Sequence, residues 1–228
     1  IESRNKKRIE DAIAEAEASP YAQAGKDIIE ETKSDIIWSD SDFHSNERLG
    51  ELITKSIHKN MSLDESIVVM GEDIKSPYGG AFKVTKGLSE DFPDRVFNTP
   101  ISEGAIAGLG NGLAINGMRP VCEIMFGDFL TLMTDQWVNH TSKIKYMYND
   151  QVSIPLIVRT PMGGKRGYGP THSQSIEKHF LGLPDTQVLA LNSRYSPELV
   201  YNVLFENRNS LPTLVIENKL LYTVRPNK

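Results

Sequence analysis

The stretch RVFNTPISEGAIAGLGNGLAINGMRPVCEIMF, residues 95–126, decides the fold. Arg95-Val96-Phe97-Asn98 reads as a short strand that ends in the polar turn Thr99 to Glu103. The residues that follow predict a helix over 104–116, and the apolar run from Pro120 to Phe126 predicts a second strand. Strand, helix and strand in that order form the unit that lays parallel strands side by side. Working outward, Leu49, Leu52, Ile53 and Ile57 mark an earlier helix. Ile67-Val68-Val69-Met70 is a strand closed by Gly71-Glu72-Asp73. Downstream, strands are expected at 154–159, 187–191 and 213–217, with helices over 128–148 and 196–208. The expected fold class is α/β, a doubly wound, mostly parallel sheet with helices on both faces.

Before residue 46 the texture differs. Ile9, Ala12, Ile13 and Ala16 recur at helical spacing, and Ser19-Pro20-Tyr21 stops the pattern. Residues 22–45 are charged and poor in large apolar side chains, which reads as a linker or an arm. The expected division is therefore 1–45, a helix with a linker, and 46–228, the main domain. The start Ile1-Glu2-Ser3-Arg4 carries neither a signal-peptide core nor an initiator Met, so an excised or processed piece is expected.

The chain has 228 residues and a net charge of -5, with both signs interspersed. Phosphate backbones demand a clustered excess of Lys and Arg, so no nucleic-acid partner is expected. No apolar run approaches the roughly 20 residues of a membrane span. Cys122 is the one cysteine, which excludes an internal disulfide framework and fits a reducing compartment. His44, His58, His140 and His179 form no ligand spacing, so no transition-metal site is expected.

Two stretches could carry chemistry. Glu103 is delivered by a strand end to a helix start, where a carboxylate either caps free backbone N–H groups or projects into a cleft. Gly104, Gly108 and Gly112 recur every four residues on the helix that follows. Each Gly costs about 1 kcal/mol of helix stability relative to Ala, so a close approach, internal or between subunits, is expected in return. The second stretch is the Gly- and Pro-rich loop 160–175, which carries Lys165 and Arg166 and leads to His172, a side chain that titrates near neutrality. Met125 and Phe129 flank a strand-to-helix turn at the same sheet edge as Glu103.

These residues resemble the beta subunit of the decarboxylating component of pyruvate and branched-chain 2-oxo acid dehydrogenase complexes. The matching stretches are GEDI at 71–74, YGGAFKVTKGL at 78–88, residues 95–129, DQWVN at 135–139, KYMY at 145–148, HSQS at 172–175 and LVIENKLLYTV at 214–224. The likeness departs from the family at Leu181–Val188 and Leu191-Asn192-Ser193, which bears on the choice of substrate. Residues 8–21, RIEDAIAEAEASPY, resemble the C-terminal tail of the alpha subunit, as in a fused alpha-beta chain.

The resemblance implies thiamine diphosphate as cofactor, with Glu103 hydrogen-bonding the ring nitrogen of its aminopyrimidine and Ile101, Met125 and Phe129 walling that ring. It implies His172 as the histidine that assists the chemistry with substrate and lipoyl arm. It also implies Mg2+ held by an alpha-type diphosphate-binding domain, and a monovalent cation, potassium, on backbone oxygens of Leu156, Leu204, Phe205 and Asn207. The partners it implies are the alpha-type domain, a homo-oligomer partner, the lipoyl domain of an acyltransferase and a small 2-oxo acid. The implied place of action is a bacterial cytoplasm or a mitochondrial matrix. An acetoin-cleaving or transketolase-type enzyme and a non-catalytic assembly module are the alternatives.

Overall fold

The computed structural model describes residues 1–21, 43–206 and 211–226. The linker expected over 22–45 falls almost wholly outside them. The chain divides into two units, residues 1–33 and residues 34–228. In the first, α1 (Glu2–Ala18) forms where the spacing predicts it and buries none of its residues.

The second unit is built on α2 (Leu49–Leu63), β1 (Ile67–Gly71), α3 (Leu88–Asp91), β2 (Val96–Asn98), α4 (Glu103–Ile115), β3 (Arg119–Glu123), α5 (Ile144–Met147), β4 (Ile157–Met162), β5 (Gln187–Ala190), α6 (Pro197–Glu206) and β6 (Thr213–Asn218). The six strands form one sheet in the order β2-β1-β3-β4-β6-β5, and every pairing is parallel. The expected α/β architecture is therefore present. Strands β1, β3 and β4 are buried along their whole length, as a sheet covered on both faces requires. One face carries the core around Ile57, Val69, Tyr201 and Val215. The other carries Ile106, Leu130, Trp137 and Leu156.

Strand order reverses at β1, whose neighbours β2 and β3 lie on opposite sides. Open α/β sheets form a crevice at such a point, outside the strand C-termini. The crevice widens because the β3–β4 register ends at Glu123↔Arg159, whereas β4 stays paired with β6 through Met162↔Asn218. Pro161 has no N–H with which to extend the ladder towards β3.

The single helix expected over 128–148 is corrected. The segment is a 3₁₀ helix at Gly127–Met133, a π-helical turn at Gln136–Thr141 and the short α5. Side-chain hydroxyls compete for the backbone here. Thr134 donates to the Leu130 carbonyl at 3.2 Å and Thr141 to the Gln136 carbonyl at 3.0 Å. Thr141 also reaches Asn111 Oδ1 on α4 at 2.8 Å, and the widened turn lets Trp137 bury completely.

The glycine that the packing of α4 on the sheet demands is Gly110, outside the four-residue repeat. A Cβ there would lie 2.8 Å from Cys122 Sγ and 2.9 Å from Leu156 Cδ1, whereas one on Gly112 would meet nothing within 4 Å. The two positions should respond with opposite sign. Gly110→Val should lower the stability of the isolated chain by about 1–3 kcal/mol through overpacking. Gly112→Ala should leave it equal or raise it by up to about 1 kcal/mol, both read from urea-unfolding midpoints.

Candidate functional site

Four consecutive sheet neighbours deliver side chains to one edge. Glu72 follows β1, Ile101 and Glu103 follow β2, Met125 and Phe129 follow β3, and the loop bearing His172 follows β4. Glu103 is the first residue of α4 and is buried, with 4 % of its surface exposed. Among the described residues its carboxylate accepts no hydrogen bond, and Ser102 makes no side-chain cap. The capping alternative therefore lacks its defining contact.

Beside it stands Glu72, which the sequence places at a strand end without giving it a role. Burial, followed by the nearby Glu103 charge, pushes the Glu72 carboxyl up to about 7. The backbone N–H of Ser102 opposes this by donating to it, and Oε1 has no hydrogen-bond partner among the described residues. Two neighbouring carboxyl groups, each 4 % exposed, cannot both ionise cheaply. Only the fold brings them together, since they follow different strands.

Ile101 is 84 % exposed, an apolar side chain standing free at the mouth of the crevice. Met125 and Phe129 are half-buried. His172 is half-buried too, its ring set edge-on to Phe126 at 4.8 Å and Phe129 at 5.2 Å. Phe126 and Tyr168 extend this cluster, their centroids 5.6 Å apart. The structure thus joins His172 to Phe129 and sets Ile101 beside Glu103 on the α4 turn. Lys165 and Arg166 are exposed on the loop.

Beneath the crevice lies a fully partnered charge network. Arg159 on β4 pairs with Glu123 on β3 and Glu217 on β6, and the hydroxyls of Tyr201 and Tyr222 donate to Glu217 at 2.7 and 2.6 Å. Of the backbone oxygens named for a monovalent cation, that of Leu156 accepts the Thr213 N–H at 2.8 Å. That of Leu204 accepts the Arg119 guanidinium at 3.2 Å. Asn207 lies outside the described residues. No group of three or more His, Cys, Asp or Glu among the described residues is placed to hold a metal. No helix among them is long and apolar enough to cross a membrane.

Residues 48–225 match the family model described as transketolase, pyrimidine binding domain. The chain is 33 % identical over 222 residues to the pyruvate dehydrogenase E1 component subunit beta-2, chloroplastic, of Arabidopsis thaliana, covering 97 % of this chain and 49 % of that one. It is 35 % identical over 173 residues to the 2-oxoisovalerate dehydrogenase subunit beta of Bacillus subtilis (strain 168), covering 75 % and 52 %. A solved structure titled split gene transketolase, inactive beta4 tetramer, superposes with a TM-score of 0.56 at 20 % identity over 75 % of this chain and 50 % of that one. That likeness bears on the fold alone. The chain spans about half the length of the curated relatives it matches. The beta-subunit resemblance in the sequence is borne out, and none of these matches shows the alpha-like tail.

The Glu72 shift carries a sign. Its carboxyl ionises at about 7 in the fold against an ordinary 4.5 for a solvated glutamate. The folded state therefore holds a proton that the unfolded chain releases, and stability falls as pH rises from about 4.5 to about 7. Glu72→Gln should raise the melting temperature at pH 8, by on the order of 2 kcal/mol of stability. At pH 4 it should leave it unchanged, as a thermal-unfolding series across pH will show.

Proposed function

This chain belongs to the transketolase pyrimidine-binding family, and from that premise we propose that it forms the pyrimidine-binding half of a thiamine-diphosphate-dependent 2-oxo acid dehydrogenase. The observation that carries the proposal is Glu103, a buried carboxylate at a helix start that takes no hydrogen bond from the described protein. A carboxylate largely withdrawn from water and given no partner by its own chain is costly. A protonated ring nitrogen in the crevice would offset that cost, so the residues fit the pyrimidine end of the coenzyme.

When bound, thiamine diphosphate supplies the carbon nucleophile that cleaves the bond beside a 2-oxo carbon. Glu103 holds the shared proton at the pyrimidine ring nitrogen and so sets the basicity of that ring. Ile101, Met125 and Phe129 wall the ring and exclude water, which strengthens the contact. His172, steadied by Phe126 and Phe129, faces the substrate side as a proton donor to the developing oxygen and to the lipoyl arm that accepts the acyl group. In this reading the diphosphate and its Mg2+ belong to an alpha-type domain. The alpha-like tail at 8–21 is read as the remnant of a chain in which both halves were joined.

The outward face of α4 suits the subunit contact that such a shared site needs. Leu109 is 55 % exposed, Leu132 from the neighbouring 3₁₀ helix is 61 % exposed, and Gly112 opens onto free space. A substrate of the pyruvate or branched-chain type is proposed from the relatives' names.

In the assembled full-length enzyme, Glu103→Gln should cut turnover of 2-oxo acids roughly 10²- to 10⁴-fold with the fold intact, whereas near-normal turnover would leave only an assembly role. Gly112→Leu should abolish association with the partner subunit without unfolding the chain, as sedimentation will report; an intact oligomer would refute the interface.

A further inference from the structure

Lys219 and Asp128 play no part in the chemistry described above, yet both are buried at the same edge. Lys219 follows β6 and is wholly inaccessible to solvent. Its ammonium donates to the main-chain carbonyl of His172 and lies 4.9 Å from the Phe126 ring centroid and 5.6 Å from that of Tyr168. Its backbone N–H is fixed to the Met162 carbonyl at 2.9 Å. Asp128 lies in the first turn of the 3₁₀ helix after β3, and 6 % of its surface is exposed. Its Oδ1 accepts both the backbone N–H and the side-chain amide of Gln174, at 3.1 and 2.9 Å. Its Oδ2 has no hydrogen-bond partner among the described residues. Gln174 closes the loop by accepting the Gly163 N–H at 3.2 Å.

His172 and Gln174 are thus gripped two residues apart, by a cation from the β6 end and an anion from the β3 end. Desolvation disfavours the Lys219 ammonium, and the Asp128 carboxylate is the charge that supports it, against Arg166, which opposes it. A methionine would fill the same space without that desolvation cost. What a hydrocarbon cannot do is hold one particular carbonyl in place. We propose that Lys219 and Asp128 form a buried, oppositely charged clamp on residues 172–174 that positions the His172 ring over Phe126 and Phe129. Both are positioning residues acting through His172, and in that sense the inference rests on the role proposed for His172.

The assembled full-length enzyme, loaded with thiamine diphosphate and Mg2+, allows the test. Hydrogen exchange of the peptide spanning 163–176 reads the clamp directly, because the Gly163 and Gln174 amides are protected by it. Turnover of a 2-oxo acid with a dye as electron acceptor reads its consequence. Lys219→Met should speed exchange in that peptide about tenfold or more and lower kcat roughly ten- to hundredfold, with coenzyme affinity unchanged. In a His172→Ala background the same substitution should have no further effect on kcat. Asp128→Asn, which keeps the size of the side chain, should act in the same direction and serves if Lys219→Met does not assemble. Wild-type exchange in these variants would overturn the clamp. So would a kcat loss that persists undiminished in the His172→Ala background, since that would be a general structural effect. If His172→Ala alone leaves kcat untouched, the role proposed for His172 fails, while the exchange measurement still decides whether the clamp exists.

Discussion

A carboxylate buried at the start of α4 with no hydrogen bond from its own chain is the constraint on which the site depends. Ordinary helix starts satisfy such a group with backbone N–H groups or leave it fully in water, whereas Glu103 is 4 % exposed and takes no hydrogen bond from the described residues. Its charge is felt by Glu72, whose carboxyl holds its proton to about pH 7. The crevice is therefore built to present one acidic group to a ligand and to keep a second one close to neutral.

The rest of the sheet makes that arrangement affordable. Arg159 ties the ends of β3, β4 and β6 together through Glu123 and Glu217, with two tyrosines donating to the same Glu217. Such a network adds little net stability in itself, because desolvation consumes most of the attraction. It does fix where the strand ends lie. The divergence of β3 from β4 beyond Arg159, where Pro161 cannot donate, then becomes the wall on which Met125, Phe126 and Phe129 are mounted. The His172 loop closes over that wall, held by groups from two different strands.

The elements were readable in the sequence where one physical signal dominated. Runs such as Ile67–Met70 and Leu214–Ile216 are apolar because both sheet faces are covered, and α4 announced itself through the strand end that precedes it. Legibility failed where tertiary contacts outweighed periodicity. Phe129, Met133, Trp137 and Ile144 fit one helical stripe, yet the hydroxyls of Thr134 and Thr141 and the burial of Trp137 break the segment into three kinds of turn. The glycine repeat 104, 108 and 112 has the clear period, while the close approach to the sheet occurs at Gly110, which has no periodic signature. Motif and resemblance single out Glu103 and His172. Glu72, Asp128 and Lys219 lie 31, 46 and 47 positions from their partners Glu103, Gln174 and His172 in the chain, and only strand order unites them.

A structure of the assembled protein with thiamine diphosphate bound tests the central claim most directly. It should place a Glu103 carboxylate oxygen about 2.6–3.2 Å from the ring nitrogen of the aminopyrimidine, with Ile101 and Phe129 against the ring. A coenzyme seated elsewhere, with the same oxygen satisfied by main-chain N–H groups, would contradict it.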